Sequence, residues 1–359
     1  MLFISEIIRS YRRDVISKLE RLPHLCNTIG RLTNESGAYP LFRVVAAQGG
    51  RHNGRKDVLI SGGVHGDEPS GVYAVMDFLE HHVWEYLDRF RFFAYPCINP
   101  WGFERHLRDN AQGVNINRTF GDTLTSEEGE AVKSSIKQAN RRYAITDDMH
   151  ESGTEEGNVY EYVAVISGFS DGRNHVPSAT HFKERDTDMP LTAVNKLFKP
   201  KNKGEVYSTE IFHDYKTRRC VEWSLVSSAM KASVYMIPYE FYLYEYLADD
   251  EKRLGASIIS ALESDTPICR WSRIAGDRST DGVVRWPDGG TNPEYAQMSS
   301  LDAFLYRNYA DVALTTETPK HWSIERRVET HIRALKAALD ACLVRDKMEP
   351  MQQTPSSPC

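Results

Sequence analysis

No stretch of this 359-residue chain stays apolar for the roughly 18 residues that a membrane-crossing helix needs, so no membrane association is expected. An excess of positive charge is missing too. Lys and Arg number 44 against 50 Asp and Glu, a net charge of −6, which argues against a general nucleic-acid binder. Cysteine is sparse. Cys26, Cys97, Cys220, Cys269, Cys342 and Cys359 form no Cys-x-x-Cys pair, which removes zinc-finger and thioredoxin-like readings. Their scatter suits a reducing compartment. The opening MLFISEIIRSYRRD is broken by Glu6 and Arg9 and lacks a small-residue cleavage site. It does not read as a secretory signal, so a cytoplasmic protein is expected. No internal repeat is found.

Apolar residues make up 41% of the chain and charged residues 26%, values of an ordinary globular protein long enough to bury a large core without staples. The spacing of Ile4, Ile7, Ile8, Tyr11, Val15, Leu19 and Leu22 predicts an amphipathic helix over 3–22. Leu41 to Ala47 reads as a strand, and Val58 to Ser61 as a short buried strand ending in Gly62-Gly63. Pro69 opens a helix reaching about Trp84, because proline suits a first helical turn. A strand over Arg89 to Ile98, a helix over Glu127 to Tyr143 and a strand running into His150 follow. This alternation argues for an α/β fold with helices on both faces of a sheet. Residues 155–300 mix aromatic strand-like pieces (Val159 to Ile166, Ser233 to Tyr244) with polar loops such as Gly276–Gly282. A helix from Leu301 to Tyr309, a strand from Val312 to Thr316 and a long terminal helix marked by Ile324 through Leu343 restore order. Residues 349–359 are polar and Pro-rich and are expected to be disordered.

His65 and Glu68 form a His-x-x-Glu. With 12 His and 27 Glu in 359 residues, 12 × 27/359 gives about one by chance, and the chain has three. His82/Glu85 lies late in a helix, and His181/Glu184 sits in a polar stretch. Only His65/Glu68 follows an apolar strand and two glycines and precedes a helix, the place where α/β sheets gather ligands. A catalytic zinc needs three protein ligands and an open position, and two histidines with a glutamate are one known set. His150, at the end of another strand, is the natural third.

Further on come Asn99-Pro100-Trp101-Gly102, Arg108 and Asn117-Arg118, and then T-x-T-E-x-P around Glu317 before the final helix. In this order and spacing the chain resembles the zinc metallocarboxypeptidases, the carboxypeptidase A-like superfamily. The likeness covers roughly residues 40–150 and 290–345. It implies a mixed, mainly parallel eight-stranded sheet flanked by helices. It further implies one Zn²⁺ per chain held by His65, Glu68 and His150, with Glu317 as general base. Arg108 would stabilise the oxyanion, and Asn117 and Arg118 would clamp a substrate carboxylate. Tyr295 would be the mobile tyrosine, with Tyr306 as its rival. Asp302 falls where such enzymes line the pocket for the terminal side chain. Its other reading is a dipole-favoured acid in a first helical turn.

The chain departs from the family in three respects. Asn115 stands where an Asp usually supports the first zinc histidine; its amide oxygen could still accept that ring N–H. The 317 − 150 = 167 residues between third ligand and base are many, so an insertion within 160–290 is expected inside a single domain, 1–348. Only about 40 residues precede the first matched strand, and no activation pro-domain is expected. The implied activity is hydrolysis of an amide bond next to a free carboxylate, on a peptide. An N-acyl amino acid is the alternative, as in the related succinylglutamate desuccinylase/aspartoacylase branch. The 150 − 68 = 82 spacing leans to the acylases. The 359 − 317 = 42 residues after Glu317 read as helix and tail rather than the acylases' usual C-terminal β-domain, and the Arg108-to-Asn117 spacing suits the peptidases better, so a peptidase is expected. An inactive binding relative is a third reading; such proteins tend to lose a ligand or the base, and here all are present.

Overall fold

The structure, a computed structural model, describes residues 8–34, 37–49, 54–152, 182–185, 199–200, 207–208, 222–227, 230–234, 240–247, 252–270, 273–274, 277–286, 299–320 and 322–348. Within residues 1–152 lie strands β1 (Leu25–Asn34), β2 (Gly37–Ala46), β3 (Lys56–Gly62), β4 (Phe90–Tyr95) and β5 (Tyr143–Ser152). Five short strands follow: β6 (Phe182–Arg185), β7 (Lys199–Pro200), β8 (Tyr207–Ser208), β9 (Glu222–Ser227) and β10 (Met230–Val234). The last five are β11 (Tyr242–Leu247), β12 (Arg273–Ile274), β13 (Asp277–Thr280), β14 (Val283–Trp286) and β15 (Ala310–Pro319). Helical elements are α1 (Ser17–Leu19), entered through a π-helical turn at Arg12–Ile16, α2 (Pro69–Asp77), α3 (Pro100–Arg105), α4 (Glu127–Ala139), α5 (Gly255–Leu262), α6 (Leu301–Asn308) and α7 (Ile324–Met348).

The main sheet has the order β1-β2-β4-β3-β5-β15-β11-β14-β13-β12; β6 to β10 form separate sheets of three and two strands. This is the mixed α/β architecture expected. Among the described residues ten strands stand where eight were expected, and parallel pairing there is confined to β4-β3-β5-β15 and β11-β14. The reason is connection length. A parallel pair needs a crossover of a dozen or more residues, which the helices supply. Between β13 and β14 stand only Asp281 and Gly282, both at positive φ (50° and 82°), and such a turn closes only an antiparallel hairpin. The stretch Gly276–Gly282, read as a loop, thereby contributes a strand.

Val58, Leu59 and Ile60 of β3 are fully buried, because the central parallel strands have protein on both faces and read as continuous apolar runs. Helix α7 packs against α2 and α5. Its His331 reaches Thr316 and Thr318 of β15 on one face of the sheet. On the opposite face Asp302 of α6 accepts from Thr315 of β15. Strand β1 is missing from the sequence reading, since an edge strand tolerates Asn27, Thr28 and Arg31. The helix expected over 3–22 is helical over Arg12–Leu19 only, within the described residues. Upstream the chain is held by other bonds: Arg9 Nη1 donates to Gly66 O at 3.0 Å and Tyr11 N to Glu104 Oε1 at 2.8 Å. The strand read over Val159 to Ile166 and the tail 349–359 lie outside the described residues, as does much of the expected insertion. Described residues of 160–290 include β11 and β14, which join the main sheet.

Candidate metal centre

Three central strands carry the site at or just beyond their carboxyl ends. After β3 the chain turns at Gly63, whose φ of 64° a residue with a Cβ rarely adopts. The loop then lies against the start of α3 so closely that a Cβ on Gly66 would sit 2.2 Å from the backbone of Gly102. Asn99 explains the Asn-Pro-x-Gly motif. Its Oδ1 caps α3 by accepting from Gly102 N at 3.0 Å, and its Nδ2 donates to the carbonyls of Arg108 and Asp109 at 3.1 Å. One side chain thus fixes both the helix under the metal loop and the segment that presents Arg108.

The ligand atoms of His65, Glu68 and His150 lie within 4.8 Å of one another, and all three residues are buried. His65 Nδ1 is 2.9 Å from Glu68 Oε1, and His150 Nδ1 is 2.8 Å from Glu68 Oε2. The buried Nε2 of His65 makes no hydrogen bond. Two buried lone-pair donors and a carboxylate converging on one point suit a divalent cation, which would satisfy groups the protein leaves open. Burial alone would raise Glu68, but the two histidines hold its carboxyl well below the usual range. His65 is pushed down by burial. For His150 burial works downward, yet Asp148 and Glu68 raise it well above the usual value.

Asp148 is the residue that sequence reasoning missed. Its Oδ2 lies 2.9 Å from His150 Nε2, and its Oδ1 accepts from Ser61 Oγ at 2.7 Å. In the neutral ring Nε2–H donates to Asp148, which would leave the Nδ1 lone pair for a metal beside Glu68. The signal was available: Asp148 and His150 are two apart on a strand and so share a face. Glu151 points the other way. Its Oε1 accepts from Ser70 N at 2.6 Å at the start of α2, and Arg327 of α7 binds its Oε2. Its backbone N–H meets Glu68 Oε2 at 3.1 Å.

Glu317 stands directly opposite His150 in the parallel β15–β5 register, so their side chains share a face. Arg108 Nη1 donates to Glu68 Oε1 at 2.8 Å, which places its guanidinium at the edge of the centre. Asn117 is buried, and its Oδ1 accepts from Leu301 N at 2.9 Å. Arg118 is exposed, with Nη1 on the carbonyl of Asn117 at 3.0 Å. The expected support of His65 by Asn115 is not made, since Asn115 Oδ1 is buried without a hydrogen bond. Asp302 is buried, its oxygens accepting from Ala303 N and Thr315 Oγ1, each at 2.8 Å. Tyr295 lies outside the described residues, and Tyr306 packs on Tyr246, ring centroids 6.1 Å apart.

Residues 54–173 match the model of the succinylglutamate desuccinylase/aspartoacylase catalytic domain. Among solved structures, a provisionally assigned metallopeptidase from Shewanella amazonensis is similar at 18% identity and a TM-score of 0.59, covering 95% of this chain and 98% of that one. Its counterpart from Shewanella denitrificans gives 19% and 0.57, covering 92% and 89%. A metallo-carboxypeptidase from Burkholderia cenocepacia gives 15% and 0.50, covering 94% of this chain and 68% of that one. No curated protein is similar enough to this sequence to match it. At these identities the likeness is one of fold.

Proposed function

We propose that the chain belongs to the metallocarboxypeptidase-like superfamily that includes the succinylglutamate desuccinylase/aspartoacylase branch, and that it is a zinc-dependent carboxypeptidase. One observation carries the reading: a buried His65–Glu68–His150 cluster with Glu317 alongside His150 on the same face. Zn²⁺ held by those three residues, one per chain, would polarise the scissile carbonyl and acidify water. Glu317 takes the proton of the attacking water and passes it to the leaving nitrogen. Arg108 stabilises the charge that develops on the carbonyl oxygen. Asn117 and Arg118 receive the free carboxylate of the peptide; the exposed guanidinium of Arg118 offers a two-point contact. Tyr295 closes over the bound substrate, and Asp302 is assigned to the pocket for the terminal side chain.

The match over residues 54–173 favours a second reading, removal of an acyl group from an N-acyl amino acid. Helix α7 directly after β15, where the acylases usually carry a β-domain, favours the peptidase. We place the enzyme in the cytoplasm. The described cysteines Cys26, Cys97, Cys269 and Cys342 are not joined in disulfides, which suits a reducing compartment. Glu317→Gln tests the mechanism. The variant should keep zinc and substrate binding while kcat falls by about 10²- to 10⁴-fold. Turnover within a few-fold of wild type would remove Glu317 as the base, and loss of metal would make it a ligand.

A further inference from the structure

The sequence H-G-D-E places Asp67 between the two ligands of the metal loop, and the sequence E-T-P-K places Lys320 three residues beyond Glu317. The Lys320 ammonium bonds Asp67 Oδ2. The Lys320 backbone N–H donates to Ser152 O at 2.9 Å, two residues past His150, which carries the β15–β5 pairing beyond Pro319. One residue therefore touches all three segments of the site: the loop of His65 and Glu68, the end of β5 with His150, and the end of β15 with Glu317.

The pair is secluded, with side-chain exposures of 7% for Lys320 and 20% for Asp67. Such an ion pair is a poor source of net stability, because the desolvation of two charges offsets most of their attraction. What it does supply is geometry. The metal loop is also held by Arg9 on Gly66 O, by Arg108, whose carbonyl accepts from Gly66 N and whose guanidinium bonds Glu68, and by the Glu151 N–H on Glu68 Oε2. A tether from Asp67 to the β15 terminus sets how far the loop stands from Glu317.

We propose that Lys320 is a positioning residue, which through Asp67 locks the metal loop to the strand that carries Glu317; the part concerning Glu317 rests on the function proposed above. The lock acts on the loop before any substrate arrives, so metal affinity reports it without turnover. Outer partners of metal ligands typically account for about 10- to 100-fold in affinity or activity.

The test uses the full chain stripped of metal, with zinc affinity measured by chelator competition well below the melting temperature. Lys320→Met and Asp67→Asn should each weaken zinc binding by about 10-fold or more, and the double variant should lose no more than either single. Lys320→Arg, which keeps the ion pair, should bind zinc within a few-fold of wild type. On a peptide substrate at saturating zinc, Lys320→Met should lower kcat more than it raises KM. Wild-type zinc affinity in Lys320→Met or Asp67→Asn, or losses that multiply in the double variant, would overturn the proposal. Should Lys320→Met fail to fold, Asp67→Asn, which keeps shape and an acceptor, and Lys320→Arg decide it on the same scale. If zinc affinity follows this pattern while Glu317→Gln retains full turnover, the lock stands and the assigned base falls.

Discussion

His331→Gln probes the polar layer behind the metal centre. His331 of α7 is fully buried, with Nδ1 2.9 Å from Thr316 Oγ1 and Nε2 3.0 Å from Thr318 Oγ1. The Thr316 hydroxyl donates to Asp147 Oδ1 at 3.1 Å, so the proton between Thr316 and His331 must sit on Nδ1. Nε2 then accepts from Thr318, and a neutral imidazole satisfies both bonds. Burial, with the positive charges of His150 and Arg327 adding to it, pushes the His331 pKa down to about 3. An unfolded histidine titrates near 6.5. Below that pH the unfolded chain gains a proton that the folded chain refuses, so this contribution to stability declines as pH falls from about 6.5 to about 3. Well below 6.5 each pH unit is worth about 1.4 kcal/mol, which integrates to about 2 kcal/mol between pH 6.5, where the unfolded ring is half-protonated, and pH 4.5.

Asp147 runs the opposite way. Burial, reinforced by Asp148, raises it to about 7, so the folded chain holds a proton that an unfolded Asp gives up near 3.9. Its contribution grows as pH falls from about 7 to about 4. In the wild type the two slopes nearly cancel across that window, and His331→Gln leaves the Asp147 slope uncovered. The stability difference between wild type and variant, from urea unfolding, should therefore shrink by about 2 kcal/mol on going from pH 6.5 to 4.5. A difference that stays constant over this range refutes the neutral, buried His331.

Further expectations concern the site itself. His150→Ala should abolish tight zinc binding in a chelator competition; unchanged affinity would mean the ligand set is wrong. Asp148→Asn should weaken zinc binding by about 10- to 100-fold with the fold intact by circular dichroism, because the amide no longer holds His150 Nε2–H with a full charge. Equal zinc affinity in that variant would make Asp148 a bystander. Arg118→Ala should weaken substrate binding by roughly 10- to 150-fold without shifting Tm, since the side chain is exposed, and amidating the substrate carboxylate should do similar damage. Equal rates on amidated and free substrates would remove the peptidase and acylase readings together.

The amino-acid sequence by itself determined the helices from Pro69, Glu127, Leu301 and Ile324, the central strands and the three candidate ligands. Those features are local. A buried parallel strand is a continuous apolar run, a helix repeats at three and four residues, and His65 and Glu68 stand one turn apart after a strand that ends in glycine. Asp148 was legible on the same grounds, as the residue two before His150, but its partner Ser61 was not, because that bond depends on how β3 and β5 align. Only the tertiary structure decided that Glu317 stands opposite His150 across 167 residues of chain, that Glu151 turns away from His150 to cap α2, and that Lys320 and Arg9 hold the metal loop. The periodicity of a strand says which residues share a face. The residue each one meets across the sheet follows from register and side-chain reach, which are settled only when the whole core packs.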